Sequence, residues 1–162
     1  MAKKLLAFLL TFALLLSSVT TAAVFTASAE VNAWDGSVAT AFAGGSGTKA
    51  DPYKISNGAE LAYLYTSVQT TGSSFSNGKY FKLTADIYLN DVTNADWKEN
   101  EPKSWFVSKS DNGLRFTGNF DGAGHTVYGM YYSGESGNVG LLPIMDTWNQ
   151  DTVVKDLTIS DS

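Results

Sequence analysis

From Ser56 onward the apolar positions fall first on a helical period and then on a period of two. Leu61, Leu64, Tyr65 and Val68 stand at i, i+3, i+4 and i+7, one stripe of an amphipathic helix. Ser56 or Asn57 can cap its start, Asn57 with Glu60 three residues on resembles a capping box, and Gly72 supplies a stop. Beyond the leader, no other segment has this pattern. After Gly78, Phe81 and Leu83 alternate with Lys82, Ile87 and Leu89 flank Tyr88, and Phe116 and Phe120 share a face across Gly118. Such alternation, punctuated by Gly, Asn and Asp, predicts short strands joined by turns.

Part of the strand pattern recurs. A gapless alignment of residues 127–133, VYGMYYS, with 154–160, VKDLTIS, puts Val127 on Val154, Met130 on Leu157 and Tyr132 on Ile159, an offset of 27 residues. The segment DIYLN at 86–90 fits the same ending, with Ile87 and Leu89 in the inward slots, and a long loop over 90–113 separates it from the next copy. Short strands recurring about every 20–30 residues predict a solenoid, in which each coil buries its apolar face by stacking on its neighbours.

The first 30 residues carry a different pattern. Lys3 and Lys4 precede a run of 12 mostly apolar residues at 5–16, and Ala27-Ser28-Ala29 follows. That run is shorter than the ~20 residues that span a bilayer, and the A-x-A ending predicts signal-peptide cleavage before Glu30. A second cleavage site after Ala23 and an uncleaved anchor are the alternatives. Cleavage leaves 133 residues (162 − 29), enough for one domain, and changes the balance to 9 basic against 16 acidic side chains. An acidic chain without a basic run is a poor partner for nucleic acid, whose binding is mostly electrostatic. The absence of cysteine means that the exported domain is held by burial and hydrogen bonding. No apolar run past residue 29 is long enough for a membrane span, so none is expected after cleavage.

Several chemistries lack a part. Gly47 and Lys49 are separated by Thr48 and followed by Ala50, so residues 44–50 fail the phosphate-loop pattern. With one histidine and no cysteine, a zinc site and the H-E-x-x-H motif are disfavoured or impossible. No G-x-S-x-G elbow accompanies a Ser-His-Asp set. Glycoside hydrolysis needs two carboxylates facing one cleft. Asp86, Asp121 and Asp156 fall near predicted turns without evident clustering, and Arg115 is the only arginine. No catalytic residue, metal or cofactor is therefore expected.

The order of motifs resembles bacterial secreted right-handed parallel β-helix proteins of the GLUG-repeat type. The residues that carry the resemblance are GGSGTKADPYKI (44–55), SNGAELAYL (56–64), FKLTADIYL (81–89), FTGNFDGAGHTVYGM (116–130), VGLLPIM (139–145) and VVKDLTI (153–159). One departure is Pro143, where the GLUG signature has glycine; proline cannot donate to a central ladder, so the strand ends at Leu142 or a turn sits there. The resemblance implies an all-β fold, a right-handed parallel β-helix with one short N-terminal capping α-helix behind a signal peptide. Its divisions are 1–29 as signal peptide, 30–78 as lead-in segment and capping helix, and 79–162 as the first coils, with more coils expected to follow. It also implies a secreted or cell-surface protein of a bacterium, Gram-positive by expectation. The role implied is a non-catalytic module for adhesion or binding, with a polysaccharide or a host surface protein as partner. The alternative is an accessory segment of a larger carbohydrate-active enzyme or peptidase whose catalytic residues lie elsewhere.

The only histidine sits in NFDGAGHT. Asp121, Gly122, Gly124 and His125 are read as a structural turn: the glycines permit positive φ, and Asp121 accepts from backbone N–H groups one or two residues on. Trp34, Trp97, Trp105 and Trp148 all fall in predicted loops. Sugars stack on exposed rings that combine a flat apolar face with polar edges. Trp97, Trp105, Tyr128 and Tyr131 are therefore a candidate glycan-binding strip. The competing reading folds Trp97 and Trp105 back over the first coil as a lid, because large aromatics are usually well buried.

Overall fold

In the computed structural model the described residues are 31–108, 114–135, 137–145 and 152–162. The leader and Trp148 lie outside them. Strand β1 (Tyr53–Ile55) leads into helix α1 (Gly58–Thr71), and β2 (Tyr80–Leu83) and β3 (Ile87–Tyr88) follow. Next come β4 (Val107–Ser108), β5 (Asn119–Asp121), β6 (Thr126–Tyr128), β7 (Asn138–Val139), β8 (Val154–Lys155) and β9 (Thr158–Ser160). The fold is mostly β, with a single α-helix among the described residues.

Helix α1 forms where the period predicts it. Asn57 is the N-cap, its Oδ1 accepting from the Glu60 N–H at 3.0 Å. Glu60 reaches back one residue further than a capping box requires, its Oε2 accepting from the Ser56 N–H at 2.6 Å. Gly72 ends the helix with φ +89° and donates to the Val68 carbonyl. Leu61, Leu64, Tyr65 and Val68 are buried and join the same core as the strands. Each aliphatic side chain among them contributes about 1.5–3 kcal/mol by leaving water.

Among the described residues, seven of the nine strands build two parallel sheets. One sheet runs β1-β2-β5-β8 and the other β3-β6-β9. The pairing is in register: Tyr53 opposes Phe81, Phe81 opposes Phe120, and Phe120 opposes Val154. In the second sheet Ile87 opposes Val127, and Val127 opposes Ile159. Because side chains alternate across a strand, these residues form inward columns. Phe81, Phe120, Ile87 and Val127 are buried, whereas Ile159 in the last strand is 42% exposed.

This register corrects the gapless repeat. Val127 pairs with Ile159, not Val154, and Val154 pairs with Phe120. Each repeat contains two strands, and the turn between them varies in length, so an alignment without gaps slips. The region of Pro143 is a bend, and the strand before it, β7, ends at Val139 and pairs antiparallel with β4. This two-stranded pair departs from the all-parallel expectation.

The N-terminal segment covers the first strands. The Trp34 N–H donates to the Tyr88 carbonyl at 2.8 Å, the Ala43 N–H to the Lys54 carbonyl, and the Lys54 N–H to the Gly44 carbonyl. A side chain at Gly58 would strike Trp34, with a Cβ 2.5 Å from the Trp34 Cβ, so this glycine admits the indole to the core.

Candidate functional site

The turn between β5 and β6 is held by local and long-range bonds together. Asp121 Oδ1 accepts from the Ala123 N–H at 2.8 Å, the Asx-type contact expected of this residue. Gly124 has φ +81°, but the other positive φ belongs to Ala123 at +53°. Gly122 serves a different need from the one expected: a Cβ there would lie 2.3 Å from the Asp156 carbonyl oxygen, so glycine permits close approach of the next repeat. The Gly122 N–H donates to the Lys155 carbonyl and the Gly124 N–H to the Asp156 carbonyl.

His125 faces the preceding repeat. Its Nδ1 lies 3.2 Å from Asp86 Oδ1, which also accepts from the Thr126 N–H at 3.0 Å. The Thr126 N–H, and after it the His125 ring, hold the Asp86 carboxyl below its ordinary value. Two of the three aspartates expected to stand apart instead share a partner: Lys155 Nζ lies 3.1 Å from Asp121 and 3.0 Å from Asp156. Partial burial pushes the Asp121 carboxyl up, and the Ala123 N–H with the Lys155 ammonium outweighs it, leaving the group below the usual range. Asp156 and then Asp121 raise the Lys155 amine. Among the described residues no three His, Cys, Asp or Glu side chains converge on a metal-sized space.

The four aromatic candidates do not form one accessible strip. Trp105 is 2% exposed and packs edge-on to Trp34 at 5.1 Å and Tyr65 at 5.8 Å. Trp97 is also buried and meets Tyr131 edge-on at 6.2 Å. Tyr128 stands apart from these rings, stacked on Tyr88 at 4.7 Å with an interplanar angle of 12°. The long loop is pinned by Asn90, a residue that sequence reasoning passed over. Asn90 Nδ2 donates to the Lys103 and Gly129 carbonyls, and its Oδ1 accepts from the Lys103 N–H.

The sequence reading also missed a row of lysines on the outer face of the four-stranded sheet. Lys54 opposes Lys82, Lys82 opposes Asp121, and Asp121 opposes Lys155. The signal was available: Tyr53-Lys54-Ile55 and Phe81-Lys82-Leu83 each place lysine between two inward residues.

Over 114 residues the chain is 30% identical to halomucin of Haloquadratum walsbyi, a match that covers 70% of this chain and 1% of halomucin. Over 120 residues it is 28% identical to a Gly-rich membrane protein of Evansella cellulosilytica, covering 74% of this chain and 12% of that protein. The chain thus spans a small fraction of the length of both relatives. No family model matches the chain, and no solved structure matches it. Among the described residues no helix is long and apolar enough to cross a membrane.

Proposed function

We propose that this chain supplies coils of a right-handed parallel β-helix of the GLUG-repeat type, in a secreted or cell-surface protein where it acts as a non-catalytic binding or adhesion module. The observation that carries this reading is the pair of in-register parallel ladders, each extended by one strand per repeat. Parallel crossovers within a sheet are almost always right-handed, which sets the expected hand. Among the described residues β8 and β9 each pair with the matching strand of the preceding segment, β5 and β6, which suits this architecture. Placement at the cell surface draws support from the names of the two relatives and from their length, which fits a repeat-built protein. The leader reading adds an export route.

Expression of the full chain with a C-terminal tag in a Gram-positive host tests this. The expected result is tag in the medium or on intact cells, open to added protease, and retention of the purified product by at least one cell-wall or extracellular polysaccharide. Retention in the cytoplasm, or release of new reducing ends or unsaturated sugars from those polysaccharides, overturns the reading.

A further inference from the structure

The outer face of the four-stranded sheet carries a groove of about 480 Å³, bordered by Lys49, Tyr80, Lys82, Asn119, Asp121 and Lys155. Lys54 stands beside Lys82 on the next strand, at the directly opposed position. Like charges so placed repel and cost stability, yet both are exposed, and among the described residues neither has a carboxylate within 4 Å. The chain as a whole is acidic, with 11 basic against 16 acidic residues, so this concentration of lysine runs against its composition. Asp121 interrupts the row, and it shares Lys155 with Asp156 at 3.1 and 3.0 Å, so the positive end of the groove is the one formed by Lys49, Lys54 and Lys82. Among the described residues the Asn119 side-chain amide has no hydrogen-bond partner, and Tyr80 is half-buried in the same outward column.

We propose that this groove binds an anionic polysaccharide, laid across the strands with its carboxylate or sulfate groups on Lys49, Lys54 and Lys82. Adjacent strands are about 4.8 Å apart, which matches the advance of an extended pyranose chain by roughly one sugar per strand. Two charged sugars one strand apart can therefore meet Lys54 and Lys82. The Asn119 amide hydrogen-bonds ring hydroxyls, and the Tyr80 ring covers an apolar sugar face. This rests on the reading of the chain as a binding module and names the ligand class and the face that takes it.

The test is affinity electrophoresis of the secreted full chain through gels containing polygalacturonate, dextran sulfate or neutral dextran, with a fluorescent DNA duplex titrated separately. The wild type should be retarded by polygalacturonate, dextran sulfate or both, less so as salt rises, and not by dextran. Retardation by only one polyanion identifies the group recognised. The double variant Lys54→Gln/Lys82→Gln should lose about tenfold in affinity or more. The double variant Lys98→Gln/Lys103→Gln, the same change of charge in the long loop around Trp97, should bind as the wild type does. Thermal melting keeps the result interpretable: relief of lysine repulsion should leave the melting point of the double variant unchanged or raised. Equal loss in Lys98→Gln/Lys103→Gln, or DNA binding as tight as glycan binding, would mean net charge alone and overturns the proposal. Retardation by neutral dextran that the lysine variants do not alter overturns it too, while leaving the binding-module reading standing. No retardation by either polyanion also overturns the proposal, and retention of the same protein by another cell-wall polysaccharide would then leave the binding-module reading standing.

Discussion

Asp86 and His125 are 39 residues apart, and the Asp86 carboxylate holds the start of the β6 strand through both the His125 ring at 3.2 Å and the neighbouring Thr126 N–H at 3.0 Å. The aspartate thereby ties the turn of one repeat to the strand of the next. The only histidine of the chain has a structural partner in the preceding repeat.

That contact predicts an acid response. The folded-state carboxyl of Asp86 is depressed, so its stabilising contribution is full above the unfolded value of about 3.9 and is lost as pH falls through the folded value. Asp35, Asp91 and Asp121 shift in the same direction. The urea midpoint of the wild type should therefore fall below about pH 4. In Asp86→Asn the fall should be shallower, and stability at pH 7 lower by less than about 1 kcal/mol, as suits an exposed contact. Urea titrations at several pH values check both; parallel pH profiles for the two proteins would exclude the linkage.

The neighbouring glycines should separate by mechanism. Gly122→Ala places a methyl 2.3 Å from the Asp156 carbonyl oxygen, forcing two repeats apart, and should cost more than about 3 kcal/mol or prevent folding. Gly124→Ala meets nothing within 4 Å and pays only for φ +81°, about 1–2 kcal/mol. Ala123→Gly, at φ +53°, should be neutral or stabilising by about 1 kcal/mol. Chemical denaturation of the three variants gives the order directly, and similar costs at Gly122 and Gly124 would contradict it.

A single inward column offers a graded test of stacking. Ile87 is 1% exposed and Val127 fully buried, but Ile159 is 42% exposed. Ile87→Ala should cost about 2–5 kcal/mol, whereas Ile159→Ala should cost less than about 1 kcal/mol. If an added coil covers β9, the cost at Ile159 should rise toward that at Ile87. Stability measurements on the present chain and on one extended by further repeats would show the rise; equal costs at Ile159 in both would mean the edge is not continued.

The parts legible in the sequence were those set by local spacing. The stripe from Leu61 to Val68 and the Asn57–Glu60 pair lie within a few residues, and both appear in α1 as expected. The strand register was not legible from a fixed period. From Phe81 to Ile87, Phe120 to Val127 and Val154 to Ile159 the spacing is six, seven and five residues, so a gapless match shifted Val127 onto the wrong partner. The pairing of Asp86 with His125, and of Lys155 with Asp121, depends on that register and was hidden with it. The aromatic strip failed for another reason: residue type says that a ring can stack a sugar, but only packing decides whether its face is free.

Trp105 makes that last point testable. Its ring is buried among Trp34, Tyr65 and Phe106, and among the described residues its indole N–H has no hydrogen-bond partner. A buried donor without a partner costs about 1–3 kcal/mol, so the indole contributes less than its size suggests. Trp105→Phe removes that donor while keeping an aromatic ring, and should change stability by less than about 1.5 kcal/mol. Trp105→Ala leaves a cavity and should cost about 3–5 kcal/mol. Polysaccharide affinity separates core from ligand platform: Trp105→Phe should retain the wild-type value in the same gels, because a ring 2% exposed presents no face to a sugar. A loss of affinity in Trp105→Phe without a loss of stability would return this ring to the binding surface.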